Sequence, residues 1–219
     1  MMMQSLSNVI IFDLDDTLYK EVSFVKSGFR AIAKSLGVPA CADELLSSWA
    51  KGENAFERLL QKYSLHFTVA ELLKIYREHY PEIELDSSTI LTLDTLVANG
   101  KVLGIITDGR SQTQRNKIKA LGLTRWISDD NIIISEEFGS IKPDARNYQY
   151  FMTKYPGKTY SYIGDNTLKD FIAPKVLGWQ TICVKDNGQN IHPQNFDVSE
   201  EYLPIITINS ILEILQVYE

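Results

Sequence analysis

Five short apolar runs constrain this 219-residue chain more than any other feature. They are NVIIF (8–12), KVLGIIT (101–107), NIIIS (131–135), YSYIG (160–164) and QTICV (180–184). Each is rich in β-branched or aromatic residues and too short for an independent helix. Nearly continuous apolar runs suit parallel strands covered on both faces. Between the later runs lie helical patterns with recognisable ends. SQTQRNKIKALGL places Gly122 at a helix C-terminus, KPDARNYQYFMTKYPG places Pro143 at an early helical position, and TLKDFIAPKVLG ends at Gly178. Strand and helix alternate from about residue 100 onward, which predicts an α/β fold built on a Rossmann-like open parallel sheet.

The stretch from Tyr19 to Asp86 breaks that rhythm. FVKSGFRAIAKSLG, ADELLSSWAKG, NAFERLLQKY and TVAELLKIYREHY are all helical in pattern, and Thr68 with Glu71 has capping-box spacing. SSTILTLDTLVANG (87–100) then reads as a helix leading into the second strand. The expected organisation is an α/β core of residues 1–18 and 87–219, with an all-helical domain, 19–86, inserted after the first strand.

Composition narrows the function. A net charge of -6 and a pI near 5.2 argue against a nucleic-acid partner, because neutralising phosphates needs a basic surface. Cys41 and Cys183 match no metal-ligand spacing and no disulfide framework, so a reducing compartment is expected. No Lys or Arg precedes Lys20, and no apolar run approaches the ~18 residues of a membrane span. The expectation is a cytoplasmic protein with no membrane partner.

In open α/β sheets ligands bind beyond the carboxyl ends of the strands, and polar groups gather there in this sequence. The first run ends in Asp13-Leu14-Asp15-Asp16-Thr17, the second in Thr107-Asp108-Gly109-Arg110, and the fourth in Gly164-Asp165-Asn166, with Asp170 close behind. Lys142-Pro143 precedes the helix that follows NIIIS. Three carboxylates within four residues repel one another unless something positive sits between them. A hard divalent cation such as Mg²⁺ takes one or two carboxylates and completes its shell with water and phosphate oxygens, so Asp13 and Asp165 are suitable ligands.

These four segments, in this order, resemble the motifs of the haloacid dehalogenase-like (HAD) phosphohydrolases. Asp13-x-Asp15-x-Thr17 looks like the first motif, Thr107 the second, Lys142 the third and Asp165…Asp170 the fourth. The helical insertion is similar to the C1-type cap of that family. The resemblance implies Mg²⁺ held by Asp13, Asp165 and the backbone carbonyl of Asp15. It also implies a phosphomonoester hydrolase in which Asp13 is the nucleophile and Asp15 the general acid and base. That role asks for a protonated Asp15 at the start, which burial and a neighbouring carboxylate favour.

Thr107, the amides of Asp108 and Gly109, and Lys142 are the expected phosphoryl contacts. Asp170 orients Lys142 or a metal-bound water, or caps its helix. Asn166 holds a metal water or caps the same helix. Arg110 either meets an anionic substrate group or pairs with a surface acid. Asp16 reads as a solvated or capping residue and Thr17 as a support of the turn. Lys20 and Glu21, where the chain leaves the core for the insertion, are hinge or entrance candidates. Phe24, Arg30, Trp49 and Lys51 line a substrate pocket or serve packing and solvent.

The segment 107–123 is similar to phosphatases of sugar phosphates, including nonulosonate (sialic-acid-type) 9-phosphates. A small phosphorylated metabolite is thus the expected partner. A phosphomutase of the same fold, or a phosphoacceptor signalling module, is the alternative.

Overall fold

The computed structural model describes residues 9–63 and 66–218. Asn8, at the start of the first predicted strand, and residues 1–7 of the expected core lie outside the described residues, as does Glu219. Among the described residues, six parallel strands form one sheet in the order β3-β2-β1-β4-β5-β6. These are β1 (Val9–Phe12), β2 (Val102–Thr107), β3 (Ile132–Ile134), β4 (Tyr160–Gly164), β5 (Gln180–Val184) and β6 (Ile206–Ile208). Five coincide with the predicted runs. β6 comes from the short ITI segment, which lies outside the five runs.

The alternation of each strand explains the layering. Ile10 and Phe12 join Leu103, Ile105, Ile163 and Ile182 in one core. Val9 and Ile11 join Ile106, Ile133, Tyr148, Phe151, Tyr162 and Trp179 on the opposite face. A strand buried on both faces must be apolar at every position, and all four residues of β1 are fully buried. The sheet grows outward from β1 in both directions, which makes the carboxyl ends of β1, β2 and β4 a topological switch point.

Between β1 and β2 lie α1 (Glu21–Leu36), α2 (Cys41–Ala50), α3 (Ala55–Tyr63), α4 (Val69–Glu78) and α5 (Ser87–Ala98). The first four share their own apolar cluster, with Val25, Phe29, Ile32, Leu45, Leu59 and Leu72 at its centre. The capping box at α4 is formed as read: Thr68 Oγ1 accepts from the Glu71 amide at 3.2 Å, and Glu71 Oε2 accepts from the Thr68 amide at 2.7 Å. Asp86 caps α5 through the Thr89 amide at 2.7 Å.

After β2 come α6 (Ser111–Ala120), α7 (Ser135–Phe138), α8 (Arg146–Lys154), α9 (Ile172–Val176) and α10 (Ile214–Val217). Two helix starts differ from expectation. Pro143 lies in a turn, and α8 begins only at Arg146, whose amide is taken by Asp144 Oδ1 at 2.9 Å. The pattern from Thr167 becomes helical only at Ile172, because the preceding residues wrap around the Asp170 carboxylate. Among the described residues no helix is long and apolar enough to cross a membrane.

Candidate active site

β1 delivers Asp13 to the switch point, where the Asp13 amide still donates to Ile163 O at 2.8 Å. From the other side, the turn 141–145 brings in Lys142. Its amide is anchored on Asp108 Oδ1 at 3.1 Å, and its ammonium reaches Asp13 Oδ1 at 2.7 Å. Lys142 Nζ also meets Asp170 Oδ1 at 2.8 Å and the Tyr162 hydroxyl at 3.0 Å. Burial alone weakens a lysine charge, yet Asp13 and Asp170 outweigh it and hold Lys142 well above the ordinary lysine range.

Asp170 spends its remaining oxygen on the loop after β4, where Oδ2 accepts from the Asp165 amide at 3.1 Å and the Asn166 amide at 2.8 Å. Asp170 is thus in contact with Lys142, as the expected orienting role requires. Asn166 Oδ1 takes the Leu168 amide at 3.0 Å, so its oxygen caps that turn.

Asp13, Asp165 and Asp170 place carboxylate oxygens within 4.8 Å of one another, all buried. Burial pushes Asp13 up to about 7, against the pull of Lys142. Burial, then Asp13 and Asp170, push Asp165 up to about 8. Lys142 alone cannot balance three such groups. Asp13 Oδ2 and Asp165 Oδ1 accept no hydrogen bond among the described residues. Two unengaged hard oxygens in an over-negative pocket fit a small divalent cation.

Asp15 departs from expectation. Its Oδ1 accepts from Lys117 Nζ at 2.7 Å and the Tyr19 hydroxyl at 2.6 Å, and its Oδ2 accepts from Gln114 Nε2 at 2.9 Å. Burial raises its pKa, but the Lys117 charge and these hydrogen bonds win, and Asp15 lies below the ordinary carboxyl value. Asp15 is therefore ionised here rather than protonated. Burial and a neighbouring carboxylate favour a protonated Asp15, but Lys117, 102 residues away in sequence, packs beside it and reverses the balance. Glu21 absorbs the consequence: burial and the Asp15 charge push it up to about 7.

Thr107 is buried at the tip of β2, and its Oγ1 accepts from Gln114 Nε2 at 2.6 Å. The Gly109 amide, expected to face an anion, donates instead to Ser135 Oγ at 2.9 Å. Asp108 Oδ2 receives Lys169 Nζ at 3.1 Å, which adds a second cation to the pocket. Arg110 does not enter this pocket; it is exposed and lines a neighbouring cleft of about 220 Å³ with Lys74 and Arg77.

Asp16 is buried, not solvated. Its Oδ1 caps α1 through the Glu21 amide at 3.0 Å, and its Oδ2 takes the Ile191 amide at 2.9 Å. Thr17 is buried in the same turn. Phe24 packs in the core beneath Lys117, Arg30 pairs with Glu82, Trp49 packs on the helical cluster, and Lys51 is exposed.

The residues lining the resulting cavity, about 170 Å³, include Asp13, Asp15, Glu21, Thr107, Asp165, Lys169 and His192. Several contributors had no motif to announce them. Tyr162 sits in a strand read only as core. Lys117 and Gln114 lie on the inward side of α6, where polar residues on a stripe shared with Ile118 were a readable signal. Asn190, which donates to Asp165 Oδ2 at 2.9 Å, comes from a loop without periodicity.

Comparison with known proteins identifies the family. The family model for haloacid dehalogenase-like hydrolases matches residues 10–184. A glyceraldehyde 3-phosphate phosphatase of Methanocaldococcus jannaschii is 28% identical over 225 residues, 95% of each chain. A magnesium-bound Bacillus subtilis protein described as a HAD-hydrolase, YfnB, superposes with TM-score 0.70 at 20% identity, covering 98% of this chain and 100% of that one. A predicted phosphoglycolate phosphatase from Haemophilus somnus gives TM-score 0.65 at 18% identity, over 99% and 100% of the two chains. The chain belongs to the haloacid dehalogenase-like hydrolases and is a phosphohydrolase of that family.

Proposed function

We propose that the chain hydrolyses a small phosphorylated metabolite, a sugar or sugar-acid phosphate, in a Mg²⁺-dependent reaction through an aspartyl-phosphate on Asp13. The observation that carries this reading is the Lys142–Asp13 contact of 2.7 Å at the switch point, with the second Asp13 oxygen unengaged. Asp13, Asp165 and the carbonyl of Asp15 would hold the cation. When bound, it offsets the clustered carboxylates and draws charge from the phosphoryl oxygens.

In the first step an Asp13 oxygen attacks phosphorus as the bond to the leaving oxygen breaks, and Asp15 gives that oxygen a proton. In the second, water attacks phosphorus, Asp15 takes the water proton, and the Asp13–phosphorus bond breaks to release inorganic phosphate. The ionised Asp15 in the structure is the form the second step uses. For the first, the negative substrate entering beside Asp15 favours a proton on it. Lys142 and Lys169 offset the charge of the phosphoryl group, and Thr107 offers it a hydroxyl.

Residues 19–86 act as a cap over a core of 1–18 and 87–219, excluding water and setting substrate preference. Their separate apolar cluster supports this division. The glyceraldehyde 3-phosphate phosphatases among the relatives, 28% identical in one case, favour a short sugar phosphate over a nine-carbon sugar acid.

The test is a panel of sugar phosphates, sugar-acid phosphates and nucleotides with and without Mg²⁺. Phosphate release without any bisphosphate requirement is expected, and Asp13→Asn should be folded and inactive. Wild-type turnover by Asp13→Asn would overturn the assignment.

A further inference from the structure

α6 reaches back into the site with two side chains that belong to none of the four motif segments. Gln114 and Lys117 stand three positions apart, on one face of the helix, and each is only 2% exposed. Gln114 Nε2 bridges Asp15 Oδ2 at 2.9 Å and Thr107 Oγ1 at 2.6 Å. Lys117 Nζ donates to Asp15 Oδ1 at 2.7 Å, reaches Glu21 Oε1 at 3.4 Å, and lies 4.4 Å from the centre of the Phe24 ring. A buried ammonium carries a large desolvation cost, and well-packed apolar residues commonly serve stability as well as an ion pair. Stability is therefore a poor reason for Lys117 to be there. Both of its carboxylate partners line the site cavity, and together with Gln114 and Tyr19 it engages both oxygens of Asp15.

We propose that Gln114 and Lys117 form a positioning clamp for Asp15, fixing its carboxylate at the height and angle from which it exchanges protons with the leaving oxygen and then with water. Glu21 and Phe24 lie in the first two turns of α1, so one ammonium serves both the seating of α1 on the core and the aim of Asp15. Lys117 itself does not line the site cavity. The inference rests on the proposed two-step reaction, and its test separates the two.

The experiment compares Lys117→Met and Gln114→Met with the unmodified protein on a sugar phosphate and on p-nitrophenyl phosphate, whose leaving group departs without a proton. With the sugar phosphate, kcat should fall about 100-fold in Lys117→Met, with KM changed by less than about threefold. With p-nitrophenyl phosphate, the first step should survive and the water step should slow. Rapid mixing should then show a nitrophenol burst approaching one equivalent per active site, larger than in the unmodified protein. Gln114→Met, which removes no charge and serves if Lys117→Met fails to fold, should show the same burst with a smaller loss. Lys117→Arg should recover part of kcat. Equal losses on both substrates without a burst, or a rise in KM at constant kcat, would overturn the clamp. Turnover by Asp13→Asn would overturn the reaction itself, whatever the Lys117 variants do.

Discussion

Asp170 grips the Lys142 ammonium at 2.8 Å with one carboxylate oxygen and holds the amides of Asp165 and Asn166 with the other. One fully buried side chain thereby sets the position of the cation on Asp13 and the shape of the loop that presents Asp165. Orienting groups of this kind are worth about 10–100-fold when removed from metal sites.

Asp170→Asn keeps the shape and an acceptor oxygen while removing the charge. Its kcat is expected to fall about 10–100-fold, with a lower melting temperature, because Lys142 keeps only Asp13 as a charged partner. Steady-state kinetics and thermal melts check this. Unchanged kcat would show that Asp13 alone suffices to place Lys142.

Gly164 explains how Asp170 comes so close to the sheet. A Cβ added there would stand 2.4 Å from Asp170 Oδ2 and 2.8 Å from its Cγ. Asp170 cannot retreat without dropping Lys142. Gly164→Ala is therefore expected to lower stability by about 1–3 kcal/mol, the usual range for overpacking, and to cut turnover as strongly as Asp170→Asn. Urea unfolding with parallel kinetics tests it, and a variant as stable and active as the parent would refute the steric account.

Much of this was legible in the chain because it depends on local pattern. The five apolar runs mark β1 to β5 because strands covered on both faces must be apolar throughout. The strand-end acids mark the switch point because the topology leaves them nowhere else to go. What was not legible depends on distant packing. The ionised state of Asp15 follows from Lys117, 102 residues away in sequence, and no local rule brings the two together. The Gly109 amide was read as open to an anion, but Ser135, 26 residues on, takes it. Asp16 was readable as a cap, though its bond to Ile191, 175 residues away, was not.

The carboxylate cluster predicts how stability depends on pH and metal. Asp13 and Asp165 titrate near 7 and 8 in the folded, metal-free protein, against 3.8 for an ordinary aspartate. Between those limits the folded protein binds more protons than the unfolded chain, so stability falls as pH rises. Glu21, raised to about 7, has the same sign. Asp15, lowered by Lys117, has the opposite sign, but its contribution is lost only as pH falls below the ordinary carboxyl value. Mg²⁺ held as proposed would compete with the protons on Asp13 and Asp165. In EDTA the melting temperature should drop from about pH 6 to about pH 8, and the rise on adding Mg²⁺ should be larger at the higher pH. A difference of about 1 kcal/mol corresponds to roughly 2–4 °C for a chain of this size. An equal Mg²⁺ effect at both values would separate the cluster from the metal.

Asn190 offers a sharper measure of the proposed metal site, because Asp186 holds its loop in place. Asp186 Oδ1 gathers the amides of Gly188, Gln189 and Asn190 at 2.8, 3.0 and 3.0 Å. Asn190 then donates to Asp165 Oδ2 at 2.9 Å and accepts Lys20 Nζ at 2.6 Å. One amide group thus steadies an expected metal ligand and ties it to Lys20, where the chain enters α1. Asn190→Ala frees the Asp165 carboxylate to rotate, and Mg²⁺ affinity measured by titration calorimetry should fall about 10-fold or more. The fold should tolerate the change, since Asp186 continues to hold the Gly188 and Gln189 amides. Lys20→Met removes only the outer contact and should lower affinity less. If both variants bind Mg²⁺ as tightly as the parent, Asp165 is held by its own strand and the loop has no part in the metal site.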